Sequence, residues 1–92
     1  MSVLRNYNRK VKNMELKKRR IKVLEDILES AIDRQYQIEV SIETKTLLLV
    51  QYPDIKHAKK IEEAIEETKI DLNNQMLVVN ILNKKLEALQ EK

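Results

Sequence analysis

The residues in this sequence best suited to chemistry are one histidine and a run of carboxylates. Asp54 and His57 have the carboxylate-x-x-His spacing of metal sites in helical bundles, but those sites also take glutamates from paired helices. Four glutamates lie within residues 62–67, flanked by lysines that offset their charge. We therefore expect His57 to face solvent beside a helix start, and the glutamates to form a solvated helix face.

The sequence contains few residues that could support other kinds of catalysis. The sequence has no cysteine for a nucleophile, disulfide or thiolate metal site, and no glycine for a phosphate-cradling loop. We expect a protein that is not an enzyme, with no catalytic residue, no metal ion, no cofactor and no small-molecule substrate.

The positive charge of the chain is concentrated at its N-terminus. The net charge is +3, yet residues 1–22 carry nine basic residues against Glu15 alone, which makes that segment +8. On a helix at 100° per residue, five of the basic residues fall within about one third of the circumference, opposite an apolar stripe. This pattern is typical of a basic arm that binds the phosphates of nucleic acid or another polyanion. The alternative is a solubilising face that binds an acidic protein surface, such as the region from Glu62 to Asp71 of a neighbouring subunit. The predicted nucleic-acid-binding residues are Arg5, Arg9, Lys12, Arg19 and Arg20.

Two long helices are the elements that must position this arm. A chain with no glycine, one proline and 36% charged residues lacks the turn chemistry of a sheet protein. Before Pro53, apolar residues recur every seven residues, and after it they recur every three or four. Because Tyr52-Pro53-Asp54 combines a helix breaker with a capping residue, we predict helix 1 over about 2–51, a turn at 52–54 and helix 2 over about 54–91.

The two apolar patterns match when the chain is folded back at Pro53. Leu28 then faces Val79 and Gln35 faces Leu72, so the prediction is an all-α fold, an antiparallel helical hairpin that resembles a coiled coil. Residues 1–16 would extend beyond helix 2 as a basic overhang of roughly 24 Å. The predicted hairpin core consists of Ile21, Leu24, Leu28, Ile42, Leu49, Ile61, Ile65, Leu72, Val79, Leu82 and Leu86.

Residues 38–46 also permit a different interpretation. Ile38, Val40, Ile42, Thr44 and Thr46 are β-branched and alternate with polar residues, which is typical of a half-buried strand. No second strand of similar quality exists, so such a strand would have to pair between chains. We expect a helix and keep an intermolecular strand as the alternative.

Several apolar residues lie off the predicted seam. Leu16, Val23, Ile27, Val78 and Ile81 are among them, and a single hairpin would leave them in water. Two hairpins packed as a four-helix bundle would bury such residues. We therefore expect a homodimer or a higher homo-oligomer, and keep as the alternative that these residues only broaden a single interface.

These features lead to two functional hypotheses. The first is a small helical oligomer whose basic arm binds nucleic acid, such as an accessory or regulatory protein of a bacteriophage or mobile element. The second is a protein-interaction module, namely a scaffold, assembly chaperone or inhibitor of a host protein, that uses exposed apolar helix faces or binds an acidic protein surface. Residues 3–24 could also lie on a membrane surface, but without Trp or Phe the anchor is weak, so we expect a cytoplasmic protein with no membrane partner.

Overall fold

The fold is a hairpin of two long helices. The computed structural model describes the backbone of residues 2–91 and the side chains of residues 14–91. It contains α1 (Ser2–Gln51) and α2 (Ala58–Gln90), which pack against each other, and residues 2–91 contain no strand. The hairpin measures 79 × 16 × 14 Å. The predicted all-α helical hairpin is confirmed.

The helices meet along a seam with alternating steps of three and four residues. This average spacing of 3.5 keeps one face of each helix turned toward its neighbour, as in a coiled coil. The side chains at these positions are buried or half-buried. In α1 they are Lys17, Ile21, Leu24, Leu28, Ala31, Gln35, Ile38, Ile42, Lys45 and Leu49; in α2 they are Ala58, Ile61, Ile65, Thr68, Leu72, Gln75, Val79, Leu82, Leu86 and Leu89.

The register of the hairpin is marked by a hydrogen bond across the seam. The Nε2 of Gln75 donates to the carbonyl oxygen of Ala31 at 3.0 Å. Ala31 thus lies opposite Gln75, between the two facing pairs expected from the sequence, Leu28 with Val79 and Gln35 with Leu72. The antiparallel register follows the matched apolar patterns.

The hairpin has a thin core. Among residues 14–91 only Ala31, Ile38 and Ile65 are buried, and the other seam residues are half-buried. Two helices can enclose only the line along which they touch, so most seam residues keep one side open to solvent.

Residues 38–46 lie entirely within α1. The β-branched side chains of Ile38 and Ile42 occupy seam positions four residues apart, while Val40 is exposed on the outer surface. The strand alternative is therefore wrong, because burial against α2 outweighs the weak preference of these residues for extended backbone.

The bend is longer than predicted, and Asp54 does not cap α2. The amide of Ile55 donates to the Tyr52 carbonyl at 3.0 Å, and the amide of Ala58 donates to the Ile55 carbonyl at 3.2 Å, which gives two successive tight turns. The residue at the N-cap is His57, in the left-handed region with φ 66° and without a side-chain capping bond. The predicted start of helix 2 near residue 54 is thus corrected to Ala58, because residues 55–58 form the second turn.

The left-handed backbone of His57 gives a first prediction. A residue with a Cβ pays about 1 kcal/mol or more for this conformation, whereas glycine adopts it freely. We expect His57→Gly to raise the free energy of unfolding by up to about 1 kcal/mol, measured by urea denaturation. As a control, Glu63→Gly in the exposed interior of α2 should lower it by about 0.5–1 kcal/mol. A loss of stability in both variants would contradict the prediction.

Candidate functional site

The open end of the hairpin, opposite the bend, contains the candidate site. There the last turns of α2 pack beside residues 16–24 of α1, and an open groove of about 380 Å³ lies between them. Its apolar wall consists of Leu16, Val23, Leu24 and Leu89. Because Leu16 and Leu89 share this groove and α1 begins at Ser2, residues 2–15 of α1 extend about 20 Å past the end of α2.

Basic side chains from both helices border this groove. Arg19 and Arg20, two of the predicted binding residues, line it together with Lys85 of α2, and all three residues are exposed. The side chains of the other three predicted residues, Arg5, Arg9 and Lys12, lie outside the described residues. The hairpin thus adds Lys85 to a site that sequence reasoning had assigned to α1 alone.

The charge of the hairpin differs between its two parts. We define the open end as residues 14–24 and 80–91, which carry seven basic and three acidic residues, a net charge of +4. Residues 25–79 carry six basic and twelve acidic residues, a net charge of −6. The open end is therefore positive and the rest of this range is negative, so the electric field of the hairpin attracts anions to the open end.

Within residues 14–91, the basic residues of the groove have no acidic partner in an ion pair. Within residues 14–91 the ion pairs are Lys22–Asp26 and Lys69–Glu66, each at 3.2 Å and exposed. The hydrogen bond from Lys22 to Asp26, together with the charge of Asp26, raises the pKa of the lysine. Lys22 is thus paired, whereas Arg19, Arg20 and Lys85 have no ion pair with any residue in this range.

The carboxylates and the histidine do not converge on a site. Asp54 and His57 are exposed at the bend, and the glutamates of residues 62–67 are exposed along α2. Within the described part of the chain, no group of three or more His, Asp or Glu side chains is arranged to hold a metal ion. The Asp54–His57 spacing therefore corresponds to a surface feature.

The predicted core residues lie along the seam. Ile65 is buried, and the other ten are half-buried: Ile21, Leu24, Leu28, Ile42, Leu49, Ile61, Leu72, Val79, Leu82 and Leu86. The predicted core list omitted Ala31 and Ile38, which are the two buried residues within residues 14–51 of α1. The signal that identifies them is the alternation of three- and four-residue steps, which passes through both positions.

The chain was also compared with known proteins, and no protein-family model, curated protein or solved structure matches it. Among the residues that the structure describes, neither helix combines the length and apolar character needed to cross a membrane.

Proposed function

We propose that this protein is a non-enzymatic helical oligomer that binds nucleic acid through the open end of the hairpin and the basic arm that extends from it. The observation that carries the proposal is the groove at which Arg19 and Arg20 of α1 meet Lys85 of α2. These cations are exposed and have no ion-pair partner within residues 14–91, so a phosphate can approach them without displacing a carboxylate.

The helix geometry supports contact with a phosphate backbone. Arg19 and Arg20 are neighbours in sequence, and Lys85 adds a cation from the second helix at the same groove. Further along α1, Arg5, Arg9 and Lys12 continue the basic sequence on the extension past α2. In this proposal they follow the phosphates for about 20 Å beyond Arg19, at a rise of 1.5 Å per residue. Such contacts position a helix on nucleic acid but do not read its sequence.

Self-association belongs to the same proposal. Fifteen large apolar residues of the described part are exposed, which is consistent with a surface that a second hairpin covers. We expect a dimer in the form of a four-helix bundle.

The salt dependence of binding tests the nucleic-acid proposal. We expect the unmodified chain to bind a random duplex at about 50 mM salt, with log affinity falling against log salt at about −0.9 for each phosphate contacted. Engagement of Arg5, Arg9, Lys12, Arg19, Arg20 and Lys85 would give a slope near −5. Fluorescence anisotropy with a labelled duplex and a labelled single strand measures both affinity and slope. No binding at low salt, or a slope near zero, would overturn the proposal.

A second candidate function is a protein-interaction module. It is favoured by the apolar wall of the groove, where Leu16 and Val23 are exposed next to the basic residues. An amphipathic acidic helix fits such a surface, since its apolar face would cover the wall while its carboxylates pair with Arg19 and Arg20. Binding to an acidic amphipathic peptide but not to nucleic acid would favour this candidate.

A further inference from the structure

One side of the hairpin carries several exposed apolar side chains that the seam does not use. In α1, Leu16, Arg20, Val23 and Ile27 follow steps of four, three and four residues, which place them in one row along the helix. In α2, Val78, Ile81 and Lys85 form a similar row. Because Arg20 and Lys85 line the same groove, the two rows lie on the same side of the hairpin.

We name the apolar members of these rows the apolar flank. They are exposed by about half: Val23 is 55% exposed, Ile27 46%, Val78 44% and Ile81 55%, and Leu16 completes the set. Arg20 and Lys85 lie within the rows, and their aliphatic stems can extend the apolar surface while their charged groups reach solvent.

The apolar flank lies near the middle of α1. Since Gln75 contacts Ala31, the positions of Val78 and Ile81 in α2 correspond to about residues 28 and 25 of α1. The flank therefore spans positions 16–28 of a helix that runs from Ser2 to Gln51. A two-fold axis near residue 25 would overlay two copies of this helix along nearly their whole length.

We propose that two copies of this chain pack antiparallel through the apolar flank, with α1 of one copy against α1 of the other. The inference rests on the self-association proposed above and does not depend on nucleic-acid binding. It names the surface that a second copy covers and the direction in which the two hairpins run. Because Arg20 and Lys85 line the groove and also lie within these rows, a second copy and a nucleic acid compete for this side of the hairpin.

Charge decides between the antiparallel arrangement and a parallel one. In a parallel pair, α1 would pack on α2 of the second copy, with Arg20 next to the second copy's Lys85 and the two positive open ends side by side. In the antiparallel pair, Arg20 lies near the uncharged Ser30 of the second copy. Packed helices are about 10 Å apart, comparable to the Debye length at physiological salt, so these charges are incompletely screened.

The antiparallel arrangement also brings opposite charges together. Residues 2–15 of each α1 then run beside residues 35–48 of the other α1 and, across its seam, residues 58–71 of the other α2. These two ranges carry seven acidic and four basic residues. Residues 2–15 carry four basic residues and one acidic residue, so they are attracted to that surface.

Spin-label distances test the direction of pairing. The chain has no cysteine, so a single label can be placed at Glu43→Cys, an exposed position far from the proposed axis. Antiparallel pairing about residue 25 predicts a separation between labels of about 55 Å, at 1.5 Å per residue on both sides. Parallel pairing predicts under about 30 Å. A label at Asp26→Cys, near the axis, should give under about 30 Å in both cases and confirms that the pair has formed.

The possible distances have distinct meanings. About 55 Å at position 43 with a short distance at position 26 supports the proposal. Short distances at both positions would overturn the antiparallel arrangement and keep self-association. No dipolar coupling at either position would overturn both.

Substitutions in the flank test the surface. Val23→Gln with Ile81→Gln should raise the dissociation constant of the dimer by about a hundredfold or more, because each dimer loses four buried apolar side chains. Leu47→Gln with Ile70→Gln, at exposed positions outside the flank, is the matched control and should leave the dissociation constant within a few-fold. Sedimentation equilibrium measures both, and equal effects would place the interface elsewhere.

Discussion

Replacing Ile65 with aspartate is expected to abolish most of the stability of the hairpin. Ile65 is 6% exposed and is one of three buried residues in the described part of the chain. The substitution removes a buried apolar side chain and leaves a carboxylate without a partner, which together cost about 3–5 kcal/mol. A small domain has about 5–15 kcal/mol in total, and a core this thin belongs at the low end of that range. Urea denaturation followed by circular dichroism at 222 nm measures the loss.

Ile70→Asp is the matched control for this prediction. Ile70 is the same residue type on the same helix, five positions further on, and it is 62% exposed. Its substitution should change the free energy of unfolding by no more than about 0.5 kcal/mol. Similar losses at positions 65 and 70 would show that the seam does not run through Ile65.

The second large effect is expected on nucleic-acid binding. The variant Arg19→Gln, Arg20→Gln, Lys85→Gln removes the charges of the three basic residues that line the groove and keeps an unbranched polar side chain at each position. If each contacts a phosphate, the slope of log affinity against log salt should flatten by up to about 2.7. The affinity at low salt should fall by about tenfold to a hundredfold, since each exposed ionic contact contributes up to about 1 kcal/mol.

A variant of equal charge separates local contacts from net charge. Lys59→Gln, Lys60→Gln and Lys69→Gln also remove three positive charges, but from exposed positions in the half of α2 that follows the bend. We expect this variant to keep the slope of the unmodified chain. Equal losses of affinity in the two variants would mean that binding follows overall charge and that the groove has no special role.

Much of the fold could be predicted because its stabilising contacts form a simple periodic pattern. Leu28 and Val79 lie in apolar series that repeat at helical spacing, and a single proline separates the two series. The alternation of β-branched and polar residues around Val40 is the main local pattern that favours a strand where the structure has a helix. The helix forms there because Ile38 and Ile42 contribute to burial whereas Val40 does not.

Features that depend on the path of the chain in space could not be predicted in the same way. The Pro53-Asp54 pair is a good local capping signal, yet α2 starts only at Ala58 because the bend takes two successive turns. Lys85 is one lysine among many in the sequence, and only the hairpin brings it beside Arg20. The hydrogen bond from Gln75 to the carbonyl of Ala31 could not be predicted from the spacing of apolar residues, because Gln75 is polar and interrupts that spacing.

The single bend also determines the order in which the chain can fold. The contacts of the seam grow steadily more distant in sequence from the bend outward, and Ala31 and Gln75 are already 44 residues apart. Because closing a longer loop costs more entropy, contacts beside the bend form first, and each one shortens the loop that the next must close. We therefore expect the contacts to form from the bend toward Leu16 and Leu89, and the open end, where these two residues lie, to be the first part that unfolds. A ligand that holds α1 and α2 together at the open end would slow the unfolding of the whole hairpin.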